Sequence, residues 1–149
     1  MATAFDVAEY ILQKTGRIST MKLQKLVYYS QAWSTVWDEI PDTPLFEEPI
    51  QAWINGPVVP ALFEEHKGHF QVGPGFFKKG KADRLTENQK ETIDSVLDFY
   101  GNRSAQWLSD LAHSEAPWVE ARKGLRADVR GSREITLDSM QQYYGSLEE

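Results

Sequence analysis

The chain has 149 residues, of which 41% are hydrophobic and 26% are charged, and its formal net charge is −6. This size and composition favour a single packed domain, residues 1–149, over a disordered chain. The sequence contains no cysteine, which excludes a disulfide scaffold, a thiolate zinc site and a cysteine nucleophile. The negative charge disfavours broad binding to nucleic acid, although it is compatible with a local basic patch.

The cell compartment and the loops are also constrained by composition. No apolar run approaches the roughly 20 residues that span a bilayer, and the N-terminus lacks the basic region of a signal peptide. We therefore expect a cytoplasmic protein with no membrane partner. Charged residues are concentrated in two basic stretches, at 78–84 and 122–133, and in one acidic loop: Asp38, Glu39, Asp42, Glu47 and Glu48. Solvated loops are the simpler interpretation, and steering of a charged partner is the alternative.

The first third of the chain predicts two helices. Thr3 can cap the first with Asp6 as a capping-box partner, and Gly16 can end it. Ser19 or Thr20 can cap the second. In that helix a stripe recurs at helical spacing: Leu23, Leu26, Val27, Ser30, Trp33 and Trp37. Off the stripe, and so expected to face water or a partner, are Lys22, Gln24, Lys25 and Gln31.

The middle of the chain predicts a loop and a short strand. Pro41, Pro44 and Pro49 break the helical pattern. Residues 50–54 are β-branched and aromatic and predict a strand, and residues 55–57 (Asn-Gly-Pro) predict a turn. Pro60 can begin a helix that carries Leu62 and Phe63 inward and ends near Gly68. Residues 68–80 predict either a loop or an edge strand.

The remaining sequence predicts four more helices. Thr86 and Gln89 match a capping box before a helix that Gly101 ends, and Ser104 can cap the next. Pro117 can begin a short helix closed by Gly124, and Thr136 can cap a last helix through Tyr143 and Tyr144. The predicted class is therefore mainly α (α+β): a compact multi-helix domain with at most one small antiparallel β-sheet or hairpin.

Metal ligation and catalysis each lack a complete pattern. Glu64, Glu65, His66 and His69 lie close in sequence, and His113 and Glu115 could join them in space, but the i, i+4 histidine pair of a zincin is missing. Surface histidines at a helix end are the better interpretation. No serine lies in a G-x-S-x-G elbow, and residues 73–75 (Gly-Pro-Gly) lack the features of a phosphate loop. We predict no catalytic, cofactor-binding or metal-binding residues and no enzyme.

A small DNA-binding transcriptional regulator is the alternative function. Helices near residues 4–37, joined by a turn at Gly16, could form a helix-turn-helix with Lys22 and Lys25 near the start of the second helix. The apolar stripe and the net charge argue against it. An enzyme acting on a nucleotide is a third interpretation, which the basic loops barely permit.

Several blocks of sequence occur in an order typical of one family. They are residues 21–29 (MKLQKLVYY), 44–46 (PLF), 50–53 (IQAW), 56–60 (GPVVP), Tyr100-Gly101 with Ser104 and Leu108, and 111–118 (LAHSEAPW) with Ala121-Arg122. This ordered set resembles the Panacea domain family of SocA-like antitoxins. The resemblance implies a bacterial antitoxin carried by a prophage or plasmid, which neutralises a cognate protein toxin by direct binding. In at least one branch of the family, the antitoxin also delivers its toxin to an AAA+ protease.

The resemblance and the charge pattern together select candidate residues. We expect a partner-binding face that contains Lys22, Lys25, Tyr29, Asn55, Arg122 and Arg126. We expect a structural role, as motif residues, for Trp33, Trp53, Gly56, Pro57, His113, Pro117 and Trp118. His113 is expected to satisfy backbone carbonyls near a helix end and, with Glu115, to hold the turn before Pro117. The identity of the toxin and the oligomeric state stay open.

Overall fold

The computed structural model describes residues 2–37 and 43–147 of the chain. These residues form seven α-helices, four short strands and one 3₁₀ helix. The helices are α1 (Ala4–Thr15), α2 (Thr20–Trp37), α3 (Pro60–His66), α4 (Glu87–Tyr100), α5 (Ala105–Ser114), α6 (Ala116–Ala121) and α7 (Leu137–Leu147). The strands are β1 (Ile18–Ser19), β2 (Gln51–Trp53), β3 (Gly56–Val58) and β4 (Gln71–Val72), and the 3₁₀ helix is Ala82–Arg84. Four residues named in the predictions lie outside the described residues: Asp38, Glu39, Pro41 and Asp42.

Helix α2 is the centre of the fold. It packs against α1, α4, α5 and α7, and every residue from Leu23 to Ser34 is buried. A helix buried on all sides belongs to the interior of a domain, whereas an amphipathic helix covers its surface. The expectation that polar residues of α2 face water or a partner is therefore wrong for three of them, and Lys22 alone is half-exposed. The buried three are Gln24, Lys25 and Gln31.

The two buried glutamines of α2 hold extended segments against the helix. The Gln24 amide accepts a hydrogen bond from the Val59 N–H at 2.8 Å and donates to the Val59 carbonyl at 3.3 Å. Gln31 accepts from the Leu45 N–H at 2.8 Å and donates to the Phe46 carbonyl at 2.7 Å. Each side chain thus pairs with backbone groups that would otherwise be buried without partners. This explains why polar residues lie on the inner helix.

Helix α1 begins and ends as predicted. The Thr3 hydroxyl accepts from the Asp6 N–H at 3.2 Å, and the Thr3 N–H donates to the Asp6 carboxylate at 2.9 Å, which completes a capping box. Gly16, with φ of 76°, ends the helix. Asp6 is buried and also accepts from the Lys81 N–H at 2.7 Å. The capping residue therefore also fastens the segment before the 3₁₀ helix to α1.

The strands form two antiparallel ribbons. Strand β2 pairs with β3 in a hairpin, and β1 pairs with β4. The sequence predicted at most one such sheet, and the second one escaped prediction because two-residue strands show no alternating pattern. The predicted turn at 55–57 is also corrected, since Gly56 and Pro57 already belong to β3 and pair with Trp53 and Ala52.

The C-terminal half confirms the predicted helix starts. The Thr86 and Gln89 capping box forms at the start of α4. The Ser104 hydroxyl accepts from the Trp107 N–H at 3.0 Å, and the Thr136 hydroxyl accepts from the Ser139 N–H at 3.1 Å. The mainly helical class is confirmed as well. Among residues 2–37 and 43–147, no helix is both long and apolar enough to cross a membrane.

Candidate functional site

Three residues of the predicted partner-binding face lie inside the domain. Lys25, Tyr29 and Arg122 are all buried, so they cannot form part of an exposed contact surface, and the expectation is corrected for them. The other three contact different neighbours. Lys22 lines a polar cleft beside α4. The backbone carbonyl of Asn55 accepts a hydrogen bond from the Ser109 hydroxyl of α5. Arg126 forms an ion pair with Asp128 at 2.8 Å.

Lys25 is enclosed by the β2–β3 hairpin. Its side chain is 1% exposed, and its Nζ donates to the Pro57 carbonyl at 3.4 Å. Lys25 takes part in none of the ion pairs formed by the described residues. Burial lowers the pKa of this lysine to about 8, because the charged form loses its hydration. A Cβ on Gly56 would lie 2.8 Å from Lys25 Cε, so the glycine is what lets the lysine approach.

Arg122 fastens the loop that follows α6. Its guanidinium donates to four backbone carbonyls, which belong to Ala52, Arg126, Val129 and Arg130. A guanidinium has five N–H donors in a planar fork, so one side chain can donate to several backbone carbonyls at once. Arg122 is therefore a residue that shapes the loop from inside.

The hairpin also gathers several residues for which a structural role was predicted. The two ring nitrogens of His113 lie 2.6 Å from the Ser109 carbonyl oxygen and 2.8 Å from the Ile54 carbonyl oxygen. The Trp118 indole packs against the His113 ring and donates to the Trp53 carbonyl at 2.8 Å. These contacts join α5 and α6 to the hairpin. Gly56 and Pro57 of β3 and Pro117 of α6 are also buried.

One turn further along the same face of α2, beside Tyr29, a carboxylate is buried among tyrosines. Glu115 connects α5 to α6 and is 4% exposed. Its Oε1 accepts from the hydroxyls of Tyr29 and Tyr144, each at 2.7 Å. Since Tyr144 donates its proton to Glu115, the hydroxyl of Tyr28, 3.0 Å away, donates to Tyr144. Burial raises the pKa of Glu115, and the two tyrosine hydrogen bonds oppose that rise.

Above this cluster lies an open groove with mostly aromatic walls. It has a volume of about 670 Å³ and is bounded by α2, α4, α5 and α7. Phe99 is 60% exposed and Leu147 is 52% exposed. We call this surface the aromatic groove, and its lining residues are Trp33, Trp37, Ser95, Phe99, Tyr100, Trp107, Leu111, Glu115, Tyr143 and Leu147. Clustered exposed aromatics of this kind mark interaction sites on soluble proteins.

Ring stacking and hydrogen bonds fix the groove's inner wall. Trp33 stacks on Trp37 with ring centroids 4.7 Å apart, and its indole donates to the Tyr100 hydroxyl at 2.9 Å. Tyr100 stacks in turn on Tyr29 at 4.1 Å. Side chains held in this way lose little conformational entropy when a ligand binds.

The sequence did not identify the groove, although one signal for it exists. Phe99 lies off the stripe of α4 that carries the buried Ile93, Val96 and Tyr100. An aromatic residue off the core stripe is largely exposed and therefore suggests an external contact.

The residues considered as metal ligands do not assemble. His66 is buried, and its Nε2 accepts a hydrogen bond from the Gln24 side-chain amide at 3.0 Å, which corrects its interpretation as a surface histidine. His69 is exposed and packs on Phe76, and Glu64 pairs with Lys67 at 2.9 Å. Within the part of the chain that the structure describes, no three potential ligands lie close enough to hold a metal ion.

The helix-turn-helix alternative conflicts with the position of α2. A recognition helix must present one face to the major groove. Residues Leu23 to Ser34 are buried on all sides, so α2 offers such a face only at its ends. The structure therefore gives the alternative use of residues 4–37 no support.

The fold and the aromatic groove together define a small, mainly helical domain with an open apolar surface. Within that class the chain belongs to the antitoxin SocA-like family, Panacea domain, whose family model matches residues 23–119. The matched range runs from α2 into α6 and includes Lys25, Gly56, His113 and Glu115. Comparison with curated proteins and with solved structures gives no significant match.

Proposed function

We propose that this protein is a cytoplasmic antitoxin that neutralises a cognate protein toxin by binding it directly, with the aromatic groove as the contact surface. Membership of the antitoxin family supports the toxin as partner. The observation that carries the contact surface is the set of exposed large side chains in one groove, among them Phe99, Trp107 and Leu147. The proposal contains no catalytic step.

The chemistry of the groove suits a protein partner. Tryptophan and tyrosine are the residues most enriched at binding hot spots, where they fill well-packed and desolvated contacts. The groove offers three indoles and two phenols on a wall already fixed by stacking. Four helices contribute to it, so its shape depends on the whole domain and not on one loop.

A genetic test follows from the gene order of toxin–antitoxin systems. The chain is co-expressed with the product of each adjacent open reading frame, and growth and co-purification are scored. We expect one neighbour to be toxic alone, and we expect this protein to restore growth and to co-purify with it. If no neighbour is toxic and nothing co-purifies, the proposed function is wrong.

A variant and its matched control test whether the aromatic groove is the contact surface. Phe99→Ser changes an exposed ring in the groove, and Phe70→Ser changes a ring that is 81% exposed near the start of α2. Thr20 and Trp33 are separated by about 20 Å along the helix, so the two variants probe opposite ends. We expect Phe99→Ser to lose growth rescue and Phe70→Ser to keep it. The reverse result would place the contact surface elsewhere.

The half-life of the toxin distinguishes two modes of neutralisation, which are blocking by binding alone and delivery to a protease. We propose that neutralisation by binding alone is sufficient, because the groove gives a contact for one partner. Delivery to an AAA+ protease, which the family resemblance implies for one branch, would shorten the toxin half-life when this protein is present. An unchanged half-life with full rescue of growth indicates blocking.

A further inference from the structure

The floor of the aromatic groove carries a carboxylate that is only half-satisfied within the described residues. Glu115 Oε1 accepts both tyrosine hydroxyls, whereas Oε2 accepts no hydrogen bond from them. Every fully buried side-chain nitrogen or oxygen in the described part of the chain has a partner, so Oε2 is not sealed in the core. Glu115 lines the groove, which is the open space adjacent to this carboxylate.

The walls around this oxygen are suited to a cation. The faces of tryptophan and tyrosine rings attract cations, most strongly where water is excluded. The chain already stacks guanidinium groups on indole rings. Arg103 Cζ lies 4.5 Å from the ring centroid of Trp107, at the groove, and Arg130 Cζ lies 3.6 Å from that of Trp53, at the hairpin.

We infer that the aromatic groove binds a guanidinium group, supplied by an arginine side chain of the partner, with Glu115 as its counter-ion. The inference rests on the proposed function, because the arginine belongs to the bound toxin. A guanidinium fits better than an ammonium group, since it is planar, weakly hydrated and able to stack on a ring while donating to a carboxylate.

Other occupants fit the same geometry less well. A segment with only apolar side chains would cover Oε2 and offer it no donor, and an unpaired carboxylate is costly to bury. An acidic segment would be repelled by Glu115 and by the net charge of −6. The arrangement of an anionic floor beneath ring walls therefore selects a cation carried on an apolar stem.

A pair of small probes tests the charge requirement. The indole N–H signals of Trp37 and Trp107 are followed by NMR during titration with n-butylguanidinium and with the uncharged n-butylurea. We expect saturable shifts of both signals with the guanidinium probe alone, and unchanged signals for Trp53 and Trp118. Equal shifts with the two probes, or shifts at all four indoles, would overturn the inference.

Two variants identify the groups that bind the probe. Glu115→Gln keeps an acceptor for Tyr29 and Tyr144 but removes the charge, and we expect affinity for n-butylguanidinium to fall by about tenfold or more. Trp107→Leu keeps the carboxylate and removes an exposed ring, so it tests the site even if Glu115→Gln folds poorly. Wild-type affinity in both variants would overturn the inference.

The same variants distinguish this inference from the proposed function. If the toxin needs Phe99 but binds Glu115→Gln at wild-type affinity, the antitoxin proposal stands and the guanidinium site is wrong. If no neighbouring product binds while the probe still requires Glu115, the site stands and the toxin assignment is wrong. A dimer of this chain that Phe99→Ser dissociates, measured by analytical ultracentrifugation, would place a second copy in the groove and overturn both.

Discussion

Two regions one helical turn apart on the same face of α2 each hold a buried charge, and the two charges differ in their hydrogen bonding. At the β2–β3 hairpin, Lys25 is enclosed by backbone, with Gly56 against its stem and the Pro57 carbonyl at its end. At the aromatic groove, Glu115 is satisfied on one oxygen and open on the other. The hairpin thus closes around its charge, whereas the groove leaves its charge available to a ligand.

The difference separates a structural site from a binding site. A charge that is sealed within its own domain can contribute to fold specificity but not to recognition. A charge at the floor of an open apolar surface can contribute to both, because a partner completes its hydrogen bonding.

The largest effect on stability at neutral pH is expected for Gly56→Ala. The new Cβ would meet Lys25 Cε at 2.8 Å, and the backbone has φ of 114°, so the free energy of unfolding should fall by about 2 kcal/mol. Gly124→Ala is the control, since that glycine has φ of 86° but open space around it, and it should cost about 1 kcal/mol. Urea unfolding measures both. Equal losses would show that the hairpin does not close tightly on Lys25.

The next effect is a pH dependence from Lys25. Its pKa of about 8 in the folded protein lies below the ordinary 10.5, so between these values the unfolded chain binds more protons. The free energy of unfolding of the wild type should therefore rise with pH relative to Lys25→Met, by up to about 1.4 kcal/mol per pH unit. Unfolding curves at pH 7 to 10.5 test this. Parallel curves for the two proteins would mean that Lys25 is not desolvated.

Glu115→Gln should have a smaller effect with the opposite sign. Burial raises the pKa of Glu115 above 4.5, so the folded protein binds more protons than the unfolded chain just above that value. The stability of the wild type relative to the variant should therefore fall as pH rises from about 4.5. At pH 7 the variant should be within about 1 kcal/mol of the wild type. A strongly destabilised variant would show that the carboxylate is structural, like Lys25.

The smallest effect on stability is expected for Phe99→Ser. The ring is 60% exposed, and exposed substitutions away from caps and cores usually change stability by less than about 0.5 kcal/mol. Thermal unfolding of the variant beside Phe70→Ser measures this. A large loss for Phe99→Ser alone would mean that the groove wall is part of the core.

Local patterns explain which parts of the fold the sequence predicted. The caps at Thr3, Thr86, Ser104 and Thr136 follow from bonds that span three residues, and all of them form. The burial of Gln24 and Lys25 could not be predicted in that way. Their partners are backbone atoms of Val59 and Pro57, which only the tertiary fold brings near.

The candidate site was harder to predict for a related reason. Aromatic residues at helical spacing predict a core, and the same pattern also forms the groove wall. The sequence predicts only that Glu115 holds the turn before Pro117. Its hydrogen bonds with Tyr29 and Tyr144, 86 and 29 residues away, depend on the tertiary fold. The choice of positively charged residues for the partner-binding face was wrong for Lys25 and Arg122, because both donate to backbone carbonyls inside the domain.

The five tryptophans report on whether the partner binds the aromatic groove. Trp33, Trp37 and Trp107 line the groove, and Trp53 and Trp118 lie at the hairpin. The measurement is the set of indole N–H signals by NMR, recorded before and after addition of the co-purified toxin. We expect the three groove signals to shift and the two hairpin signals to stay unchanged. Shifts confined to Trp53 and Trp118 would contradict this expectation and would place the binding site at the hairpin.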